Sequence, residues 1–240
     1  MIQIKLYDKF LFNFLAKDAS NASDVMEAAN GFVVPGIVSD QYNSIVEAAI
    51  VVEDIKTVAS RVSIGLGGGG NTENWKRVLD IAVISEPGHL NQPFETAIYT
   101  KGFLDGKGIS DQLVNALVQP TGEVGKIKLA TTGQVYQVEE FLEIAKSLGV
   151  ESIKMMPIKG RQHLEELIYL TKVAAEKGFR GVEPAGGIDE SNIGDILRGV
   201  WDIDIEFFMP HIFGSTIDKE TGLTIPTKVK EIYLAVEGLV

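Results

Sequence analysis

The sequence predicts an α/β fold, a (β/α)8 TIM barrel, on three observations. Eight short apolar runs of strand length alternate with segments whose apolar residues recur at helical spacing. The length of 240 residues suits one barrel, and no linker-like stretch divides the chain, so residues 1–240 are expected to form a single domain. The chemically reactive side chains also fall at or just past the ends of the apolar runs, where parallel α/β sheets place their sites. A doubly wound open sheet would meet the last condition equally well; the count of eight strands favours the barrel.

In chain order, residues 10–16 (Phe-Leu-Phe-Asn-Phe-Leu-Ala) are a strand interrupted only by Asn13. Residues 23–29 suit a short helix, and residues 31–38 form a second strand kinked at Pro35-Gly36. Ile45, Ala48, Ala49, Val52, Ile55 and Ala59 define a helix with a broad apolar face. A third strand over 62–66 runs into Gly67-Gly-Gly-Gly-Asn71 and a helix to about Leu79. Residues 81–85 are expected as a fourth strand and 126–130 as a fifth, with turn signals between them and one helix near 111–118. Val138, Phe141, Leu142, Ala145 and Leu148 mark a helix that Gly149 stops. The sixth strand holds Lys154, a helix spans 163–176, and a strand at 181–183 leads to a short helix at 192–197. A strand at 205–209 and a helix at 225–236 complete the pattern.

The composition, 45% hydrophobic and 23% charged, is that of a globular protein with a full core. A formal charge of −11 disfavours nucleic acid and anionic membrane as partners, since both would be repelled. Without cysteine there are no disulfides or thiolate metal sites, and a cytoplasmic location is expected. The first residues carry no signal-peptide pattern, and no apolar run approaches the ~20 residues of a membrane span.

Lys154 stands in an apolar strand, where an ammonium is costly to desolvate. It is either paired with a carboxylate or held with a lowered pKa as an imine-forming nucleophile. Gly186-Gly187 lies between a strand and a helix start, and Gly214-Ser215 follows the last strand. Both can present backbone N–H groups to a phosphate, or can simply be tight turns. Glu183, Glu86, His89 and His211 stand at or just beyond expected strand ends, and of these Glu183 and Glu86 are the acid–base candidates. A metal site through His89, Glu86 and His211 is a less favoured alternative, and glycines 67–70 match no nucleotide-binding pattern.

Together these pieces resemble the 2-keto-3-deoxy-6-phosphogluconate and 4-hydroxy-2-oxoglutarate aldolases, most closely the branch associated with glucosaminate catabolism. Their Lys-Phe-Phe-Pro-Ala signature matches Lys154-Met-Met-Pro-Ile158, and their Pro-Thr-Gly-Gly-Ile matches Pro184-Ala-Gly-Gly-Ile188. Their Gly-Gly-Ser matches Phe213-Gly-Ser215, and their Ile-Ser-Pro-Gly after the fourth strand is similar to Ile84-Ser-Glu-Pro-Gly88 with one insertion. The resemblance implies Lys154 as the imine lysine and Gly186, Gly187, Gly214 and Ser215 as phosphate ligands. Those aldolases carry a glutamate base and an arginine on the second strand, and residues 32–38 contain neither. Glu183, then Glu86, are therefore the expected bases, with Lys128 as a candidate for the substrate carboxylate and Gly68 where the family has a threonine.

The expected activity is a class I, Schiff-base cleavage of 2-keto-3-deoxy-6-phosphogluconate to pyruvate and glyceraldehyde 3-phosphate. 4-Hydroxy-2-oxoglutarate is a second candidate substrate. No metal or other cofactor is expected, and the family resemblance suggests a homo-oligomer. A phosphosugar isomerase or epimerase on the same barrel, or a sugar-phosphate binding protein without catalysis, are the competing functions.

Overall fold

A computed structural model describes residues 5–239. Ten strands alternate with eight α-helices: β1 (Phe12–Leu15), α1 (Ala19–Ala28), β2 (Val33–Val38), α2 (Ile45–Lys56), β3 (Val62–Gly65), α3 (Trp75–Ser85), β4 (Gly88–Pro93) and α4 (Phe94–Gly106). There follow β5 (Leu113–Pro120), β6 (Lys126–Leu129), β7 (Val135–Gln137), α5 (Val138–Ser147), β8 (Ser152–Met155), α6 (Leu164–Glu176), β9 (Gly181–Pro184), α7 (Ile193–Gly199), β10 (Phe207–Phe208) and α8 (Pro226–Glu237).

Eight strands pair in parallel in the order β1-β2-β3-β4-β5-β8-β9-β10. Bridges Phe10–Phe208 and Asn13–His211 join the two ends of this path, so the sheet is a closed TIM-type barrel. β6 and β7 are not staves of it. They form an antiparallel arm on the upper end of β5, with Gln119 opposite Lys128.

Each barrel strand alternates between two different environments. Phe12, Phe14, Ile64, Leu90, Ile153 and Val182 belong to the main apolar core, the layer shared with the helices. The intervening residues Asn13, Ser63, His89, Asn91, Ser152, Lys154 and Glu183 are equally buried and point the other way, into the barrel. At the N-terminal end Leu11, Val34, Phe207 and Met209 close the interior as a separate apolar cluster. Local signals fix several helix ends: the Asp18 side chain accepts from Asn21 N, Ser44 accepts from Glu47 N, and Pro226 opens α8.

Four expectations are corrected. Residues 81–85 are the last turns of α3, not a strand, because Val78, Leu79, Ile81, Ala82 and Ser85 form one buried helical face. The fourth stave is instead Gly88–Pro93, whose polar residues concealed it. Residues 111–118 are mostly strand β5, not helix, and α4 occupies a stretch whose glycines, Gly102 and Gly106, read as turns. The expected fifth strand is β6 of the arm, so β5 fills that place in the barrel.

Candidate active site

Lys154 lies on β8 with its side chain inside the barrel and 5% exposed. Its Nζ donates to Asn91 Oδ1 at 2.7 Å and lies 2.9 Å from His211 Nδ1. His211 follows β10, and its Nε2 is 2.8 Å from Glu183 Oε2. Glu183 on β9 is wholly buried. Ser152 Oγ donates to its Oε1 at 2.6 Å and Asn115 Nδ2 to its Oε2 at 2.7 Å. His89 Nε2 also lies 3.0 Å from Oε2, but its direction misses that of a hydrogen bond, so we treat this as a close electrostatic contact. His89 Nδ1 meets Ser63 Oγ at 2.9 Å, and Asn91 Nδ2 donates to Ser63 Oγ and Ile64 O.

Burial drives the Lys154 ammonium down to about 8, with the Glu183 charge opposing part of the shift. Burial, with the neighbouring Lys154 charge, takes His211 down to about 3 despite Glu183. Burial alone would raise the Glu183 carboxyl. The His89 and His211 rings against it outweigh that and hold it well below the usual carboxylate range. At neutral pH the cluster is a carboxylate, a neutral imidazole and a lysine close to its own pKa. An amine so placed can act as a nucleophile.

Above Lys154 a cavity of about 80 Å³ is lined by Val38, Leu66, Gly70, Leu117, Met156 and Phe213, among others. This is far smaller than the ~300–1,000 Å³ of pockets that enclose a whole ligand. It suits the head group of a substrate whose remainder lies across the loops. Gly67, Gly69 and Gly70 form one wall, and all of glycines 67–70 have positive φ; a Cβ at Gly67 would lie 1.9 Å from Asp40 Oδ1. A larger cavity of about 520 Å³ opens at the opposite end, beneath Leu11, Val34 and His89. Its arginines are spent on Asp111, Glu151 and Glu206, and it does not reach Lys154, so the smaller cavity is the candidate site.

The expected residues divide into groups. Lys154 and Glu183 come together through His211, although Glu183 does not line the cavity. Glu86 is elsewhere: it caps α3 in the left-handed conformation at φ +43°, exposed and ahead of β4 rather than beyond it. The placement of Ile84-Ser-Glu-Pro-Gly88 after a strand is overturned with it, and Glu86 cannot share a metal with His89 and His211. Among the described residues no group of three His, Cys, Asp or Glu is arranged to hold a metal ion.

Gly68, with φ +52°, sits in the glycine loop but does not itself line the cavity, which its neighbours Gly67, Gly69 and Gly70 do. Lys128 faces Gln119 across the arm, and Gln119 shares the alternation of Asn115 and Leu117. Its side chain therefore stands on the face that continues the barrel interior, partly buried and with no ion pair among the described residues. Gly186 and Gly187 have a packing role: a Cβ on Gly186 would lie 2.8 Å from Pro157 Cβ, and one on Gly187 2.8 Å from Gly160 N. Ser215 Oγ donates to Ile188 O at 3.0 Å and so joins the two loops. Among the described residues the backbone N–H groups of Gly187, Gly214 and Ser215 donate to no protein acceptor.

Sequence reasoning did not assign roles to Asn91, Asn115 or Ser152, and it gave His211 only a place in the less favoured metal site. Their signal was present as polar residues at alternate positions in otherwise apolar strands, at Asn115 and Ser152 especially.

Solved structures show what this architecture is similar to. Thiamine phosphate pyrophosphorylase from Pyrococcus furiosus superimposes with a TM-score of 0.61 at 11% identity, covering 97% of this chain and 98% of that one. Orotidine 5'-monophosphate decarboxylase from Methanocaldococcus jannaschii gives 0.58 at 13% identity, covering 95% and 98%. At such identities the likeness is one of fold. In sequence, the chain is 33% identical to the 2-dehydro-3-deoxy-phosphogluconate aldolase of Salmonella typhimurium over 248 residues, covering 100% of both chains. The KDGP aldolase family model matches residues 6–220. With a buried lysine at the mouth of a closed barrel and this match along its length, the chain belongs to the KDGP aldolase family and is a carbon–carbon lyase.

Proposed function

We propose that the enzyme is a class I aldolase that cleaves 2-keto-3-deoxy-6-phosphogluconate to pyruvate and glyceraldehyde 3-phosphate through an imine on Lys154. The observation that carries this reading is the buried Lys154 amine, its pKa brought to about 8, facing the cavity at the barrel mouth. The amine adds to C2 of the keto acid, water leaves, and the iminium accepts the electrons of the C3–C4 bond as the C4 hydroxyl proton is removed. The enamine so formed takes a proton and is hydrolysed to pyruvate.

In this reading the carboxylate lies near Gly68 and Lys128, the latter a cation on the inward face of the arm without an ion pair among the described residues. The remote phosphate lies on the loops of Gly186, Gly187, Gly214 and Ser215, where free N–H groups supply the donors that a chain of charge −11 lacks at long range. Glu183 serves as the fixed anion of the site, and residues 1–240 act as one barrel domain that assembles as a homo-oligomer. Exposed Tyr99 and Phe103, stacked on α4, offer an apolar patch for such assembly.

Borohydride reduction with pyruvate tests the mechanism. A mass increase on Lys154 is expected in wild type and none in Lys154→Ala. An unmodified wild type, or equal labelling of the variant, defeats it. Comparing 2-keto-3-deoxy-6-phosphogluconate with 4-hydroxy-2-oxoglutarate separates the substrates: equal kcat/KM removes the phosphate assignment and leaves the lyase.

A further inference from the structure

We propose that His211 is the proton carrier of the imine site, taking a proton from the Lys154 ammonium at Nδ1 while its Nε2–H remains bound to the Glu183 carboxylate. The inference rests on the Schiff-base reading above and adds to it the group that moves the protons.

The hydrogen-bond inventory supports this assignment. Among the described residues Lys154 Nζ has two hydrogen-bond partners, Asn91 Oδ1 and His211 Nδ1. An amide oxygen is far too weak a base to remove a proton from an ammonium, so only the imidazole can. The ionised Glu183 carboxylate is an acceptor only, so the hydrogen between it and His211 belongs to Nε2. A neutral imidazole with its hydrogen on Nε2 presents a lone pair at Nδ1, directed at the lysine.

The parts of the relay are held in place. His211 N donates to Pro184 O at 2.8 Å, next to Glu183 in the chain, and the Phe213 ring stands edge-on to the imidazole at 5.9 Å. Glu183 in turn is fixed by Ser152 and Asn115. The titratable groups facing His211 are Lys154, Glu183 and His89, whose ring centre is 6.0 Å away. At rest the adjacent ammonium disfavours an imidazolium. Transfer of the proton discharges the lysine, which removes that repulsion and leaves an imidazolium against a carboxylate.

The protons balance over imine formation. His211 takes the first proton from the ammonium, and the freed amine adds to C2, forming the C–N bond while the carbonyl π pair moves to oxygen. The imidazolium returns its proton to that oxygen. His211 then takes a second proton from the nitrogen and delivers it to the hydroxyl. The C–O bond breaks with its electrons on the departing water, and the nitrogen lone pair closes the iminium. Both hydrogens lost by nitrogen leave in the water, the iminium keeps one, and Glu183 stays ionised.

Trapping of pyruvate by cyanoborohydride, followed by mass spectrometry between pH 6 and 8, tests the relay. The wild-type rate is expected to be level, because the proton is handled internally. His211→Gln is expected to be about 100-fold slower at pH 7 and to gain roughly tenfold between pH 6 and 7, with the rise slackening towards pH 8, because Lys154 must then lose its proton to solvent. A variant with the wild-type rate and a level profile overturns the relay and leaves the imine standing. A wild type that traps no pyruvate overturns the imine reading itself. Should the variant not fold, ¹⁵N-histidine NMR of the wild type, with three histidines to assign, decides. The Nε2–H tautomer of His211 at pH 7 supports the proposal; an imidazolium or the Nδ1–H tautomer overturns it.

Discussion

Ser152 and Glu183 stand on neighbouring strands, and the serine hydroxyl donates to Glu183 Oε1 at 2.6 Å in a site with no solvent access. Among the described residues that oxygen has no other donor, whereas Oε2 is approached by Asn115, His211 and His89. Ser152→Ala therefore leaves one side of a buried carboxylate bare, at a cost of roughly 1–3 kcal/mol in unfolding free energy by urea titration. Because Glu183 is held below the ordinary carboxylate range, its stabilisation is present above about pH 4.3 and is lost as pH falls through its folded value. The variant should begin to lose stability at a higher pH than wild type in acid titrations followed by circular dichroism.

Replacing Glu183 by Gln keeps the shape and removes the charge. The imidazolium at His211 then has no counter-ion, so kcat for aldol cleavage should fall about 10²-fold or more. The measurement is steady-state cleavage coupled to pyruvate detection. Activity within a factor of three of wild type would show that the charge plays no part.

Glu86 provides the opposite case. It is exposed and in the left-handed region at φ +43°, where an L residue carries a strain that glycine avoids. Glu86→Gly should leave kcat/KM unchanged and raise stability by up to about 1 kcal/mol, read from urea midpoints. A loss of activity would restore Glu86 to the site.

Gly186 should not tolerate a methyl group. With φ +98° and Pro157 Cβ 2.8 Å from the new atom, Gly186→Ala should destabilise by about 1–3 kcal/mol. Thermal melts of the variant check this, and an unchanged Tm would mean that the two loops can separate freely.

Lys128→Met should weaken binding of the keto-acid end, raising KM for the substrate about 10- to 100-fold, the worth of one charge-assisted bond, with a smaller change in kcat. An unchanged KM would place Lys128 outside the site.

The number of barrel staves was legible, although two of them were misplaced and the two arm strands were not foreseen as such. The run at 81–85 has strand composition, but Val78, Leu79, Ile81 and Ala82 bury one side of a helix, and tertiary packing decided the matter. Gly88–Pro93 was hidden for the reason that makes it useful: His89 and Asn91 point into a polar barrel interior, so the strand lacks an apolar alternation. β6 read as a stave because a local pattern does not reveal whether a strand pairs parallel or antiparallel. Lys154 was legible because a lysine inside an apolar strand demands an explanation. His211 was visible only as a polar residue past a strand, since its two partners come from different strands.

The barrel's closure also bears on how the molecule breathes. Its last stave is only Phe207–Phe208, and the joint to the first strand rests on a few backbone bonds, from Phe208 N to Lys9 O through Ile212 N to Asn13 O. A ring opens at its thinnest link, so amides along this seam should exchange with deuterated solvent ahead of those in β8 and β9. Lys154 on β8 and Glu183 on β9 lie to one side of that seam, and His211, which faces Asn13 across it, is tied to the same side by its backbone bond to Pro184 O. The ring can therefore part and re-form between its first and last strands while its three proton-handling side chains keep their mutual distances.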